Sequence, residues 1–440
     1  MSRIVRYGMS VVLVALLAVA AAAAPYDFGG ETVRVSGAFP NATVFGINFE
    51  DARGMGHVQE VEKMFNVKIE WVKDDAAYNP QTFIANVLAG DPVADIQVLC
   101  RGRAFHQIAA EGLLVPLDDI LTEEYLENIP DVYKALEHWK HGDTYYGFSL
   151  VDAAGWCVYW NKSLFEREGL PDPYELYFSG EWTWDAMRDI AIQATKDTDG
   201  DGVVDQYGIS IDEGSGCTDQ VAALLATNNA AVAKIIDGKV TFTLDEPEAL
   251  AVYEYLQQLI HVDKVVAFEG QYTIFQGNRA MTLSHPWWFY YTADPQWMED
   301  DCGILPYPIG PNGTPGEYGS YSSANWNWCI PKTTKHDPRA LIELYNALYM
   351  ASYDYVIDDP EERMVNEFAT YVTDRRDLDI YRSLISNLKL APYAINFFWP
   401  DFQNFEEFNG RITINGENPA AAVAGIKDAV QTRLDEIFKQ

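Results

Sequence analysis

A short acidic segment in the middle of the chain has the residue types and spacing of a calcium-binding loop. Residues 197–205 read DTDGDGVVD, which puts carboxylates at alternating positions of an EF-hand-type loop and Gly202 where that loop turns. The predicted ligands of a structural Ca²⁺ are Asp197, Asp199, Asp201, Val203 and Asp205. Gly208 stands where an EF-hand has its bidentate Glu, so water or a distant residue would have to complete the site. The alternative is an acidic, exposed turn that holds no metal.

Aromatic residues gather in three segments of the second half of the chain. Trp287 and Trp288 precede two tyrosines. Trp326 and Trp328 are two residues apart, so on a strand they share one face, and Trp399 follows two phenylalanines. Flat rings suit the apolar C–H faces of sugars, while sugar hydroxyls need directed polar partners. The alternative is that these rings pack in the core.

Candidate polar partners follow predicted strands, because open α/β sheets bind ligands at the carboxyl ends of their strands. Arg101 follows the apolar strand predicted over 95–99, and Asp212 and Glu213 follow the strand predicted over 207–211. The other candidates are Asn48, Asp152 and Asn325. For each of them the alternative is a solvated surface residue.

Motifs for catalysis are scarce. The chain has five Cys without a Cys-x-x-Cys pair, seven His, and no Gly-x-Ser-x-Gly, Walker A or His-Glu-x-x-His pattern. A glycosidase-like pair of carboxylates stays open, since such a pair forms in space rather than in sequence. We therefore expect a binding protein rather than an enzyme.

Composition and the first residues indicate an exported protein with more than one domain. The chain has 440 residues, and single cores rarely grow beyond about 250–300 residues. Its formal charge of −34 argues against nucleic acid as a partner. Within residues 1–24, Arg3 and Arg6 are followed by an apolar run and then by an alanine-rich end. This order predicts a signal peptide. Without a lipobox cysteine there, we expect a periplasmic or secreted, monomeric protein.

Strands and helices alternate in the first 100 residues. Strands predicted over 31–36, 66–71 and 95–99 are separated by helices predicted over 54–65 and 81–88. This order indicates βαβ units around a mostly parallel sheet. A strand over 156–160 then precedes a helix over 162–168, with Asn161 as its N-cap and Gly169 as its stop.

Segments spread along the chain combine strands, glycine stops, prolines and aromatic residues in a distinctive order. They are residues 88–96, 111–117, 145–170, 275–288, 304–308, 327–335 and 415–436. In this order they resemble family 1 extracellular solute-binding proteins, the maltose-binding-protein-like sugar receptors of ABC transporters. The resemblance implies an α/β, two-lobed periplasmic-binding-protein fold of the type II-like kind, whose interleaved lobes close on a ligand about a hinge. It implies an N-terminal lobe of residues 25–117 and 310–354, and a C-terminal lobe of residues 118–309 and 355–440.

The resemblance also implies a function. A carbohydrate would be captured between the lobes and delivered to an ABC permease. Trp287 and Trp399 match cleft-facing aromatic residues of the family and would stack on the sugar, and the further candidates are Trp156, Trp288 and Trp326. Similar acidic loops occur in calcium-binding relatives of this family.

The chain departs from the family at one place that bears on the ligand. Sugar receptors often carry an acid and a tryptophan beside the strand predicted over 95–99, where this chain has Leu99, Cys100 and Arg101. Two alternatives to a sugar receptor stay open. One is a secreted hydrolase or lyase acting on carbohydrates, and the other is a receptor of the same fold for a peptide or another solute.

Overall fold

The structure is a computed structural model, and it describes most of the chain after the predicted signal peptide. The described residues are 26–36, 43–44, 47–48, 52–72, 79–100, 104–127, 139–148, 155–212, 217–269, 277–284, 300–318, 320–322, 326–349, 365–366, 368–386, 388–390 and 402–439. Residues 1–24, the predicted signal peptide, lie outside them. No helix among the described residues combines the length and the apolar character needed to cross a membrane.

Strands and helices alternate along the chain. The strands are β1 (Thr32–Ser36), β2 (Thr43–Val44), β3 (Ile47–Asn48), β4 (Lys68–Val72), β5 (Gln97–Cys100), β6 (Lys140–His141), β7 (Thr144–Tyr145), β8 (Cys157–Asn161), β9 (Tyr207–Asp212), β10 (Ala233–Ile236), β11 (Lys239–Phe242), β12 (Val266–Glu269), β13 (Arg279–Ser284), β14 (Cys302–Pro306), β15 (Ser320–Ser322), β16 (Trp326–Cys329) and β17 (Leu388–Leu390). The helices are α1 (Ala52–Phe65), α2 (Pro80–Leu88), α3 (Phe105–Ala110), α4 (Glu123–Glu127), α5 (Lys162–Glu168), α6 (Pro173–Ser179), α7 (Trp184–Ala194), α8 (Thr218–Thr227), α9 (Pro247–Gln257), α10 (Pro338–Tyr349), α11 (Arg375–Ser386), α12 (Phe402–Thr413) and α13 (Pro419–Phe438). A π-helical turn, Gln258–Val262, continues α9.

The first lobe is built on the strands predicted near the N-terminus. β1 pairs in parallel with β4, and a bridge from Val35 to Ile96 joins them to the chain entering β5. β16 returns much later in sequence and pairs antiparallel with β5. The segment that follows β7 also belongs here, because Gly147 bridges to Cys329 and the Phe148 amide donates to the Trp328 carbonyl.

The second lobe contains a five-stranded sheet with the order β12-β9-β13-β8-β14. β12, β9 and β13 are parallel, whereas β8 runs antiparallel to both β13 and β14. The prediction of a mostly parallel sheet concerned residues 31–99, where β1 pairs in parallel with β4 and Val35 with Ile96. The second sheet is parallel only over β12, β9 and β13. The physical reason is the route of the chain, since β8 enters from the first lobe and not through a helical crossover from a strand of its own sheet.

The chain crosses between the lobes more than once, so the lobes are interleaved as predicted. It leaves the first lobe after Phe148 and enters the second sheet at Cys157. It returns between Ser322 and Trp326, and crosses again between α10, which packs on α1, and α11, which packs on β14. Strand pairing groups residues 139–148 with the first lobe. The predicted boundaries at 117, 309 and 354 stay predictions, because parts of these crossings lie outside the described residues.

Local sequence signals set the start of the second lobe. The Asn161 Oδ1 accepts the Leu164 amide at 2.8 Å, which caps α5, and Gly169 ends the helix with a φ of 63°. β8 lies in the centre of the lobe and all five of its residues are buried. The predicted cap and stop of α5 are confirmed, and they start and end the helix that follows directly on β8.

Candidate functional site

Predicted ligand-binding residues of the second lobe meet at one edge of its sheet. Asp212 ends β9 and Ser284 ends β13, two parallel strands whose register pairs Thr282 with Ser210. The antiparallel register pairs Ser284 with Cys157, so Trp156 lies beside the chain that leads on to Trp287. Residues far apart in sequence thus converge at the carboxyl end of the parallel strands, where such sheets bind ligands.

The first turn of α8 closes this edge, and the sequence reasoning missed it. Thr218, Asp219 and Gln220 are each at most 3% exposed. The Gln220 Nε2 donates to the Leu283 carbonyl at 3.1 Å, which fixes the helix start against the end of β13. The preceding residue, Cys217, has a φ of 62° and offers no side-chain cap, so the usual helix-start signal is missing. The sequence signal for this helix start was the polar triplet Thr218, Asp219 and Gln220 ahead of an apolar run.

Four described cysteines are buried or half-buried, and two of them, Cys157 and Cys217, lie near this edge. Burial raises the pKa of Cys157 well above its usual range and that of Cys217 to about 12. Cys302 and Cys329 have raised pKa values for the same reason, and all four are free thiols. A thiol is nucleophilic only as the thiolate, so these four cysteines do not support covalent catalysis.

The first lobe brings a second group of predicted residues together. Trp326 opens β16 and stands opposite Cys100, the last residue of β5, in the antiparallel register. Asn325 and Arg101 are their direct neighbours in the chain, so both segments leave the sheet at the same end. Trp328, two residues on, is 5% exposed, and its ring centroid lies 5.6 Å from that of Tyr345. Trp328 is therefore core.

The remaining predicted residues fall into two groups. Trp156 is 7% exposed and belongs to the buried core of the second lobe. Asn48 pairs with Thr43 in a short hairpin. The ligand roles of both stay predictions. Those outside the described residues are Arg101, Asp152, Glu213, Trp287, Trp288, Asn325 and Trp399. Asp152 lies in sequence between Phe148 of the first lobe and Gly155, which precedes β8.

The acidic segment forms a closed loop at the start of β9. An antiparallel bridge between Lys196 and Gln206 joins its ends. Oxygen atoms of the Asp197, Asp199 and Asp205 carboxylates lie within 4.8 Å of one another. The main chain between them turns at Gly200 and Gly202, whose φ angles are 79° and 91°. Such clustering suits a hard cation, although exposed acids often cluster without one.

Hydrogen bonds within the loop hold two of the carboxylates ionised. Asp197 accepts the amides of Gly202 and Gly200, each at 2.7 Å, and these bonds lower its pKa. Asp205 accepts the Thr198 hydroxyl at 2.7 Å and the Thr198 amide at 3.0 Å, which lowers its pKa in the same way. Asp201 instead accepts the Val203 amide at 2.7 Å and does not join the three-carboxylate group.

Packing explains why position 12 of this loop is a glycine. A Cβ atom on Gly208 would lie 2.3 Å from the Ala191 carbonyl oxygen of α7, closer than any real contact. The Gly208 amide also donates to the Thr195 hydroxyl at 3.0 Å. The close approach of β9 to α7 therefore excludes the glutamate of an EF-hand, and the loop is not an EF-hand in its ligand set.

The chain folds into two interleaved α/β lobes, and in each lobe strand ends meet at one edge. This arrangement is that of the two-lobed binding proteins. The sequence profile of the bacterial extracellular solute-binding proteins matches residues 58–349, which is more than half of the chain. The chain belongs to this family. The family binds solutes, and among curated proteins no sequence matches this chain.

Solved structures share the fold over nearly the whole chain. UgpB from Mycobacterium tuberculosis, in complex with glycerophosphocholine, is 16% identical with a TM-score of 0.64, over 92% of this chain and 98% of its own. Lmo0181 from Listeria monocytogenes, in complex with cycloalternan, is 14% identical with a TM-score of 0.63, over 91% and 98%. MalE from Bdellovibrio bacteriovorus, bound to maltotriose, is 13% identical with a TM-score of 0.62, over 93% and 100%. These likenesses confirm the predicted two-lobed fold.

Proposed function

We propose that this protein captures a carbohydrate between its lobes and delivers it to an ABC permease. The observation that carries the proposal is that predicted residues come together at a strand end in each lobe. Trp156, Asp212 and the chain leading to Trp287 meet at one sheet edge, and Trp326 and Cys100 stand opposite each other in the other lobe. The maltotriose and cycloalternan complexes of structurally similar proteins support a sugar as the ligand class.

The mechanism is closure of the lobes around the sugar. Trp287 and Trp399 stack on its C–H faces, and Asp152 and Arg101 hydrogen-bond its hydroxyls. A ligand that touches both lobes binds the closed state better than the open one, and so shifts the population towards closure. The closed surface is what a permease would distinguish from the open one. The receptor acts as an exported monomer after removal of residues 1–24, and it does not turn its ligand over.

The test is calorimetry of the mature chain with a panel of oligosaccharides. We expect saturable binding of one sugar class, and Trp287→Ala and Asp152→Ala should each weaken it about tenfold or more without lowering the melting temperature. Asp189→Ala is the matched control, because Asp189 is an exposed acid on α7, a helix that packs on the side of β9 and β13. Unchanged affinity in both site variants would contradict the assignment of these residues.

A second candidate function is a receptor for a polar solute other than a sugar. The observation in its favour is UgpB, a structural neighbour in complex with glycerophosphocholine. The chain also departs from the sugar-receptor pattern at Leu99, Cys100 and Arg101, which favours a solute other than a sugar. Glycerophosphocholine therefore belongs in the ligand panel, and binding of it alone would move the function to this candidate.

We also propose that the loop 197–205 holds a structural Ca²⁺. Asp197, Asp199 and Asp205 would supply carboxylate oxygens, and Val203 a carbonyl, with Asp201 joining if it releases the Val203 amide. The test is thermal unfolding with a chelator and then with added Ca²⁺. We expect a melting temperature that falls and recovers in the native chain, and that responds less in Asp199→Asn. A melting temperature of the native chain that changes with neither addition would contradict a structural Ca²⁺ in this loop.

A further inference from the structure

The C-terminal helix α13 joins the two lobes. Most of its length packs on the second lobe, where the Gln431 Oε1 accepts the Phe242 amide at 2.9 Å and its Nε2 donates to the Val240 carbonyl at 3.2 Å. Lys427 forms an ion pair with Asp245 on the same side. The far end of the helix reaches α3 of the first lobe. Its last turn is therefore a contact between the lobes.

That last turn rests on two histidines. The ring of Phe438 stacks on His141 with centroids 5.1 Å apart and an interplanar angle of 29°. The same ring packs on His106 at 5.1 Å and 52°. The Nδ1 atoms of the two imidazoles are 3.5 Å apart. One aromatic side chain of the second lobe thus covers a histidine pair of the first.

The first lobe holds this pair firmly in place. His106 lies on α3 and is 3% exposed, and the neighbouring Phe105 packs edge-on against Trp139 with centroids 5.5 Å apart. Trp139 is fully buried, and its carbonyl accepts the Tyr146 amide at 2.8 Å. His141 follows in β6, whose partner β7 closes a hairpin. The histidines belong to a packed element, so a change at their contact would move the chain end rather than the hairpin.

The charge state of the pair decides whether the contact is favourable. Two imidazoles at this separation share a hydrogen bond when at most one carries an extra proton, and they repel when both are charged. Burial lowers the pKa of His141, and the charge of Lys439 lowers it further. The neutral ring is also the better partner for the face of Phe438, since a charged ring loses its hydration there.

Most other charged groups on these elements have partners of their own, and Asp143 faces solvent. On α13, Glu436 pairs with Arg433 at 3.0 Å and Asp435 accepts from Gln431 at 2.8 Å. On the hairpin, Lys140 lies 4.4 Å from the centroid of the Tyr145 ring, and Asp143 is exposed. On α3, Glu111 accepts from Gln107 at 2.9 Å. Lys439 is the charged group whose effect falls directly on His141.

We propose that His106, His141 and Phe438 form a pH-sensitive latch between the lobes, closed when the imidazoles are neutral and released when they are protonated. The docked state binds fewer protons than the released state. Docking is therefore strongest above the free-histidine pKa of about 6.5 and weakens as the pH falls below it. Acid would in this way remove one contact that restrains how the lobes move relative to each other.

Hydrogen exchange of the mature chain, read as protection factors for residues 430–439, tests the latch. Between about pH 7.5 and about pH 5 we expect protection of the last turn to fall on the order of tenfold in the native chain. In His141→Phe, which keeps the stacked ring and removes one imidazole and with it the repulsion between the pair, protection should depend on pH clearly less than in the native chain. His57→Gln is the control, since His57 contacts the Ala347 and Leu348 carbonyls within the first lobe and should behave as the native chain.

A second measurement keeps the proposal testable if His141→Phe folds poorly. In Phe438→Ala the ring that covers His141 is removed at the chain end, so a histidine titration by NMR should give a higher pKa for His141 than in the native chain. Protection of the last turn should then be low at both pH values. Native protection that does not depend on pH, or a His141 pKa unchanged by Phe438→Ala, would overturn the latch.

Discussion

Asp377 is the buried charge on which the packing of α11 against the second sheet depends. Its carboxylate is fully buried and accepts the Lys162 ammonium at 2.9 Å and the Ile304 amide at 3.0 Å, together with the hydroxyl of Tyr174. Burial raises the pKa of this carboxyl, while Lys162 and Tyr174 act to lower it. Three elements, α5, α6 and β14, thus meet at one group on α11.

Replacing Asp377 by Ala should be costly. It leaves a Lys162 side chain that is only 14% exposed, a buried tyrosine hydroxyl and a strand amide without their acceptor. Breaking a buried ion pair by removing one partner costs about 3–5 kcal/mol. For a lobe of this size each kcal/mol lowers the melting temperature by about 2–4 °C. Urea unfolding followed by tryptophan fluorescence should show the loss in the transition of the second lobe.

A double-mutant cycle separates the charge effect from packing. Asp377→Leu combined with Lys162→Met should be clearly more stable than either single variant, because no unpaired charge then remains buried. Asp379→Ala is the control, an exposed acid two residues along the same helix, and it should cost less than about 0.5 kcal/mol. A loss below about 1 kcal/mol for Asp377→Ala would refute the reasoning.

Three further substitutions test the fold around the site. Gly208→Ala should destabilise the second lobe by about 1–3 kcal/mol in thermal unfolding, because its Cβ would overlap the Ala191 main chain of α7. Asn161→Ala should cost about 1–2 kcal/mol through loss of the cap on α5. Asp263→Asn should cost about 1–2 kcal/mol near neutral pH, because Arg188, 2.5 Å away, lowers the pKa of that carboxyl. This last contribution is fully present above the unfolded pKa of about 3.9 and is lost as the pH falls through the lower native pKa of Asp263, so the two chains should converge in acid.

Each of these has a result that would count against it. Gly425→Ala, at an exposed helical glycine with open space around it, is the control for Gly208→Ala and should be neutral or stabilising. Equal effects at the two glycines would remove the packing argument. Ser179→Ala at an exposed helix end should leave stability unchanged, in contrast to Asn161→Ala. A stability difference for Asp263→Asn that persists in acid would mean that its cause is not the ion pair.

Local signals in the sequence predicted the parts of the fold that local chemistry determines. Asn161 and Gly169 bound a helix because capping needs only the first and last turns, and the structure confirms both. The alternation of strands and helices over 31–99 predicted β1, α1, β4, α2 and β5 to within a few residues. The order of family-like segments predicted two interleaved lobes, which strand pairing and the family match confirm.

Features that arise only when distant segments meet were not predictable in this way. The direction of β8 depends on its arrival from the first lobe, and the buried start of α8 has an unusual left-handed residue, Cys217, where a cap would stand. The pair formed by His106 and His141 joins residues 35 apart in the chain. Gly208 was seen as a missing ligand, whereas its role is to let β9 approach α7.

The central claim is that the cleft between the lobes binds a carbohydrate and releases it unchanged. The measurement that tests it most directly is isothermal titration of the mature chain with maltotriose, cycloalternan and further oligosaccharides, with glycerophosphocholine alongside and chromatography of the ligand afterwards. The account predicts saturable one-to-one binding of a sugar that is recovered intact, and weaker binding in Trp287→Ala. Binding of glycerophosphocholine alone, or a sugar recovered as cleaved product, would contradict it.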